Sequence, residues 1–187
     1  MRFKRPRTTT SLVERERRAA KTTALNKEKK VLREFEIDVK LDPDDPTNRE
    51  IWGEEVPQGM SASVARPTDE SGAMADEDLV DGDEKITNSE EIQVRFSYPL
   101  RAPVTLTFQH SGGFLRKDVL EAIRDGYAAI YQAEADTAQD PGRAGPDSYN
   151  RGTSDGLYGI WGHDIGDLVI ERVYQESENL FSLSIGS

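Results

Sequence analysis

Two runs of strict alternation, close together in the chain, constrain its fold more than any other feature. In EIQVRFSY, residues 91–98, Ile92, Val94, Phe96 and Tyr98 fall on one side and Gln93, Arg95 and Ser97 on the other. In VTLTFQH, residues 104–110, Val104, Leu106 and Phe108 alternate with Thr105, Thr107 and Gln109. A period of two gives each run one apolar face, and the turn at residues 99–102 predicts an antiparallel hairpin. An apolar sheet face must be covered, and the next segment supplies the cover. Leu115, Val119, Ile123, Tyr127, Ile130 and Tyr131 recur at helical spacing, with Arg116, Lys117, Glu121, Arg124 and Asp125 expected to face away. Ser111, Gly112 and Gly113 lead into that helix. Gly126, in its middle, costs about 1 kcal/mol against alanine, which a close approach to the sheet would explain.

Beyond a long connection over residues 136–157, LVIERVYQ (168–175) and LFSLSIGS (180–187) read as a second hairpin, turning through residues 177–179. The order β-β-α-loop-β-β predicts an α+β fold, a small antiparallel sheet covered on one face by one long helix. This domain is placed at residues 91–187.

Charge divides the rest. Residues 1–33 hold twelve Lys/Arg and three Glu, half of all 24 basic residues. Residues 34–91 hold four basic and nineteen acidic residues, and residues 92–187 eight and thirteen. Blocks of one sign mark interaction tails rather than cores. Residues 1–39 are therefore expected to be a basic arm, partly helical or disordered. Ser11 and Glu14 there fit a capping box that would open a helix over residues 12–33. Residues 40–90, rich in acid, Pro, Gly and Ser, are expected to be a largely disordered acidic linker. Within it EIWGEEV, residues 50–56, reads either as a short docking motif or as a tryptophan folded back on the domain.

The chain has no cysteine, which removes disulfides, thiolate nucleophiles and cysteine-ligated metals. No apolar run approaches the roughly 18 residues of a membrane span, and the N-terminus lacks a secretory apolar core. No membrane partner and an intracellular location, nuclear or virion-associated, are the expectation. KRPR, residues 4–7, matches a short nuclear-import pattern. Lys4, Arg5, Arg7, Arg15, Arg17, Arg18, Lys21, Lys27, Lys29 and Lys30 are the arm's candidates for an acidic protein surface or nucleic-acid phosphates.

Rare residue types concentrate in YGIWGHDIGDL, residues 158–168. His163, Asp164 and Asp167 are the candidate metal or acid–base set, but a site needs a third ligand, for which His110 and Asp155 are the choices. The competing reading has both aspartates pinning a turn. Gly156, Gly159, Gly162 and Gly166 do not make a phosphate cradle, because the loop precedes a strand, Asp155, Asp164 and Asp167 repel anions and Arg151 is the nearby cation. No G-x-S-x-G elbow is present. Catalytic residues and cofactors are accordingly set at none. Tyr149, Arg151, Tyr158, Trp161 and His163 are the candidate binding residues, aromatics beside an arginine. Trp161 is expected to anchor the long loop on the sheet or helix.

RFSYPLRAPVTLTFQHSGGFLRKDVLEAIRDGYAAIY, followed by YNRGTSDGLYGIWGHDIGDLVIE, resembles a family of uncharacterised proteins from algae, other eukaryotes and large DNA viruses of algae and protists. Its members similarly combine a YPL…PVTFTF hairpin and a long helix with a YGIWGHDIGDL-like segment. The resemblance covers about residues 92–173. It implies a unit with added tails and implies no activity. The expected function is a non-enzymatic interaction or structural module of a larger assembly with a protein partner, its basic arm docking on an acidic or nucleic-acid partner. The alternatives are a hydrolase-like enzyme using His163, Asp164 and Asp167 with a divalent metal, and a nucleic-acid-binding protein acting through residues 1–33.

Overall fold

A computed structural model describes residues 31–66, 79–142 and 152–187. The expected arm helix and every basic candidate from Lys4 to Lys30 lie outside these residues. Residues Val31–Ser187 form one unit. Its elements are β1 (Arg33–Phe35), β2 (Asp38–Lys40), α1 (Pro46–Trp52), β3 (Gly59–Ser61), β4 (Lys85–Thr87), β5 (Glu91–Phe96), β6 (Val104–Gln109), β7 (Phe114–Leu115), α2 (Arg116–Thr137), β8 (Val169–Gln175) and β9 (Leu180–Gly186). The fold is α+β, as the periodicities predict.

Both expected hairpins are present, with Ile92 opposite Phe108 and Val173 opposite Leu183. The sheet order is β1-β8-β9-β5-β6. β5 and β9 join the hairpins in parallel, Val94 beside Phe181, so the sheet is mixed rather than purely antiparallel. Ile92, Val94, Phe96, Val173 and Phe181 are fully buried, and α2 covers them with Val119, Leu120, Ile123, Tyr127 and Ile130. A Cβ on Gly126 would lie 2.1 Å from Phe96 Cζ. The ring fills the space a side chain would need and meets Tyr127 edge-on, centroids 5.0 Å apart.

The described parts of the expected linker are structural. In REFEIDVKL, residues 33–41, Phe35, Ile37, Val39 and Leu41 are buried while the intervening acids and lysine turn outward. Arg33 therefore belongs to β1, paired with Gln175 of β8, and not to a helix. β2 pairs with β3, and the backbone that follows runs along β8, with Ala62 N–H donating to Ile37 and Val64 N–H to Leu168. Ala62 and Val64 are fully buried. β4 pairs with β7 at the start of α2. Residues 67–78 of the linker lie outside the described residues.

This extra layer overturns two orientations on α2. Arg116 and Arg124, expected at the surface, are buried. Arg116 pairs with Glu84 and donates to the Glu36 carbonyl, and Arg124 reaches Ser63 O and Glu121. Each finds an acceptor, Glu84 for Arg116 and Ser63 for Arg124, in a segment that composition alone assigns to a linker. No helix among the described residues is long and apolar enough to cross a membrane.

Candidate functional site

The stretch at residues 158–168 is built from its pinning groups upward. Glu134 sits in the last turns of α2, seven residues beyond Tyr127, on the buried stripe. It is only 4 % exposed. Its carboxylate accepts from the backbone N–H groups of Gly156 (3.0 Å), Tyr158 (2.6 Å) and Gly159 (3.2 Å), and from the Ser154 hydroxyl. Ser154 Oγ in turn accepts from Ile160 N–H at 2.8 Å. Burial alone would raise the Glu134 pKa, but the donors, Ser154 first and then Tyr158, Gly159 and Gly156, outweigh it and leave it below the ordinary glutamate range. A Cβ on Gly156 would come within 2.7 Å of that carboxylate, so the residue must be glycine for the acid to reach the backbone.

The loop is also stitched to the turn between β5 and β6. Leu100 bridges Ile160, Thr153 bridges Trp161, and Trp161 N–H donates to Pro99 O at 2.9 Å. In such a bridge consecutive residues point to opposite sides. Ile160 therefore enters the core, and Trp161 comes out half exposed. The expectation that Trp161 anchors the loop is thus corrected; Ile160 does so, assisted by the partly buried Tyr158. Leu157 is exposed as well.

His163 lies between these layers, its side chain only 12 % exposed. Its Nε2 is 2.8 Å from Tyr98 Oη, which also lies 2.9 Å from Ser187 Oγ. Its Nδ1 faces Asp167 Oδ2 at 3.9 Å, and its carbonyl accepts from the Tyr131 hydroxyl at 2.9 Å. The Trp161 ring meets the imidazole edge-on at 5.1 Å. Burial first, then the carboxylates of Asp164 and Asp167, push the Tyr131 hydroxyl upward and hold it as a donor. Asp167 Oδ2 accepts from Asp164 N–H at 3.0 Å and closes a 3-10 turn, Ile165–Asp167. Of the two aspartates expected to pin a turn, Asp167 does so through its carboxylate, and Asp164 takes part through its backbone, its carbonyl accepting from Asp167 N–H.

The ligand set proposed from the sequence does not converge. His110 Nδ1 is 2.9 Å from Gly113 O beside β7, and Asp155 accepts from Gln139 and Asp140 N–H at 2.9 and 2.8 Å. Among the described residues no group of three or more His, Asp or Glu side chains is placed to hold a metal ion. Tyr149 and Arg151 lie outside the described residues, so the surface assigned to them with Tyr158, Trp161 and His163 is represented only by the last three. Glu134, Ser154, Tyr98 and Tyr131 escaped sequence reasoning. For Glu134 a signal existed, an acid on an apolar stripe position.

A separate open cleft of about 540 Å³ is lined by Arg33, Phe35, Asp38, Glu84, Arg116 and Arg172, among others. Its charges answer one another. Glu84 takes both Arg33 and Arg116, and Arg172 takes Glu36 at 2.9 Å and Glu34 at 3.6 Å. Arg116 and Arg33 lie over the Phe35 ring at 5.2 and 5.5 Å. Arg116 Nε is buried without a hydrogen-bond partner among the described residues, and the ring face offers it partial compensation. Burial, with Glu36 second, raises the Asp38 carboxyl. No known protein family, curated protein or solved structure matches the chain.

Proposed function

We propose that the protein is a non-enzymatic interaction module of a larger assembly, with residues 92–173 belonging to the family they resemble. The supporting observation is a division of labour in the loop. Groups capable of chemistry bind their own backbone, Glu134 to three N–H groups and Asp167 to the 3-10 turn. Leu157 and Trp161 are meanwhile presented to solvent by a frame that cannot easily relax. A rigidly held, half-exposed tryptophan is the usual anchor of a protein interface. The basic arm supplies a second, electrostatic contact with an acidic protein, or with nucleic acid in the alternative reading.

The arm is best removed as residues 1–30, because Arg33 belongs to β1. Quantitative affinity capture with the full chain, the chain lacking residues 1–30 and the Leu157→Ala/Trp161→Ala chain tests the reading. Each altered chain is expected to unfold at the same urea midpoint as the full chain and to lose partners about tenfold. Identical partner sets for all three would sink it. Retention that vanishes after nuclease treatment, with steep salt dependence, would favour the nucleic-acid alternative.

A further inference from the structure

Between Lys40 and Gly59, paired as the ends of β2 and β3, the chain makes an excursion that carries α1. At seven residues α1 is far below the length of about 12–15 at which an isolated helix becomes even marginal in water, and none of its residues is buried. Local bonds hold it. The Asp45 carboxylate caps it, accepting from Thr47 N–H at 2.7 Å and Asn48 N–H at 3.4 Å. Asn48 Nδ2 donates to Asp42 O at 2.9 Å, and Arg49 donates to Pro43 O at 2.8 Å and pairs with Asp44. Gly53 N–H closes the other end on Arg49 O.

This frame presents Ile51, 66 % exposed, and Trp52, 45 % exposed, at consecutive positions of the last turn. The core gains nothing from either side chain. Around them stand Glu50, Glu54 and Glu55, all exposed and in no ion pair among the described residues. Asp44 and Asp45, by contrast, are engaged by Arg49 and the cap. An apolar pair ringed by unneutralised carboxylates is the complement of an apolar surface edged with lysine or arginine. Nucleic acid and anionic lipid, which carry the same sign of charge, are disfavoured.

We propose that residues 42–56, built around α1, form a preformed docking element for a basic amphipathic surface of a partner protein, with Ile51 and Trp52 as anchors and Glu50, Glu54 and Glu55 as the charged rim. These residues are distinct from Leu157, Trp161 and the arm, so this surface and the module's other contacts can fail separately.

With Trp161→Phe, Trp52 becomes the sole tryptophan of a chain that has two. Acrylamide should quench its emission freely in the unbound protein. A short amphipathic leucine–lysine peptide is then the probe. Saturable binding with a blue shift and loss of quenching is expected. Ile51→Ala should weaken it about tenfold or more, and Glu50→Gln/Glu54→Gln/Glu55→Gln should weaken it and flatten its salt dependence. Because α1 buries nothing, all variants should melt with the parent. The proposal is overturned if Ile51→Ala binds as tightly as the parent, since net charge alone then explains binding. It is also overturned if Trp52 emission does not respond. The same holds if a leucine–glutamate peptide, a DNA duplex or anionic phosphatidylserine vesicles bind equally well.

Discussion

Glu134 is an acid standing where the helical stripe calls for an apolar side chain, and the loop is organised around that exception. Replacing it with alanine would leave the N–H groups of Gly156, Tyr158 and Gly159 without their acceptor. Glu134→Ala should cost about 3 kcal/mol or more in urea unfolding, because several buried donors lose their partner at once. Its folded pKa is lowered. Glu134 therefore stabilises the fold above its unfolded value of about 4.3, and that contribution fades as pH falls through the lower folded value. Glu134→Gln should remove this part of the acid dependence, read as a flatter melting-temperature profile below about pH 4.3. At Gly126 two effects oppose each other. Alanine gains about 1 kcal/mol of helix propensity, yet its Cβ would meet Phe96 at 2.1 Å, on ring atoms backed by Tyr127. Overpacking of that kind costs about 1–3 kcal/mol or more, so Gly126→Ala should lower the melting temperature despite its better propensity.

At the scale of elements, β5, β6, α2 and β9 were legible because each carries a sustained period of two or 3.6, and β8 because it is an apolar run that repeats the hairpin pattern despite a register shift between Ile170 and Arg172. β1 and β2 carry the same signal in REFEIDVKL, but four acids in and around the run made composition outweigh alternation. The alternation was decisive, since the acids sit on the outer face while Phe35, Ile37 and Val39 fill the core. The site was less legible. Glu134 meets its donors twenty or more residues away, and Tyr98 meets His163 across the domain; neither pairing leaves a local pattern. Trp161 was misjudged because its outward direction depends on its own bridge to Thr153 and that of Ile160 to Leu100, which only the fold creates. Truncation tests the reassigned boundary. Removing residues 1–30 should leave unfolding unchanged. Removing residues 1–37 strips Phe35 and Ile37 from the core and should cost about 3 kcal/mol or more.

In the whole molecule, the sheet carries its apolar face against α2, while outer strand positions hold threonine, serine, glutamine and arginine. One solvated face is ordinary for a sheet of hairpins. The unusual feature is the place of β9. It is the last of the elements along the chain, yet it lies between β8 and β5, in contact with both. Without it the β5–β6 hairpin and the β1–β8 pair share no strand-to-strand bond. Until residues 180–186 pair, the two halves have no strand in common, and Val94 lacks the Phe181 that stands beside it in the sheet. The continuity of the sheet thus rests on one strand: β9 is a keystone, and taking it away would leave two separate ladders where there is now one sheet.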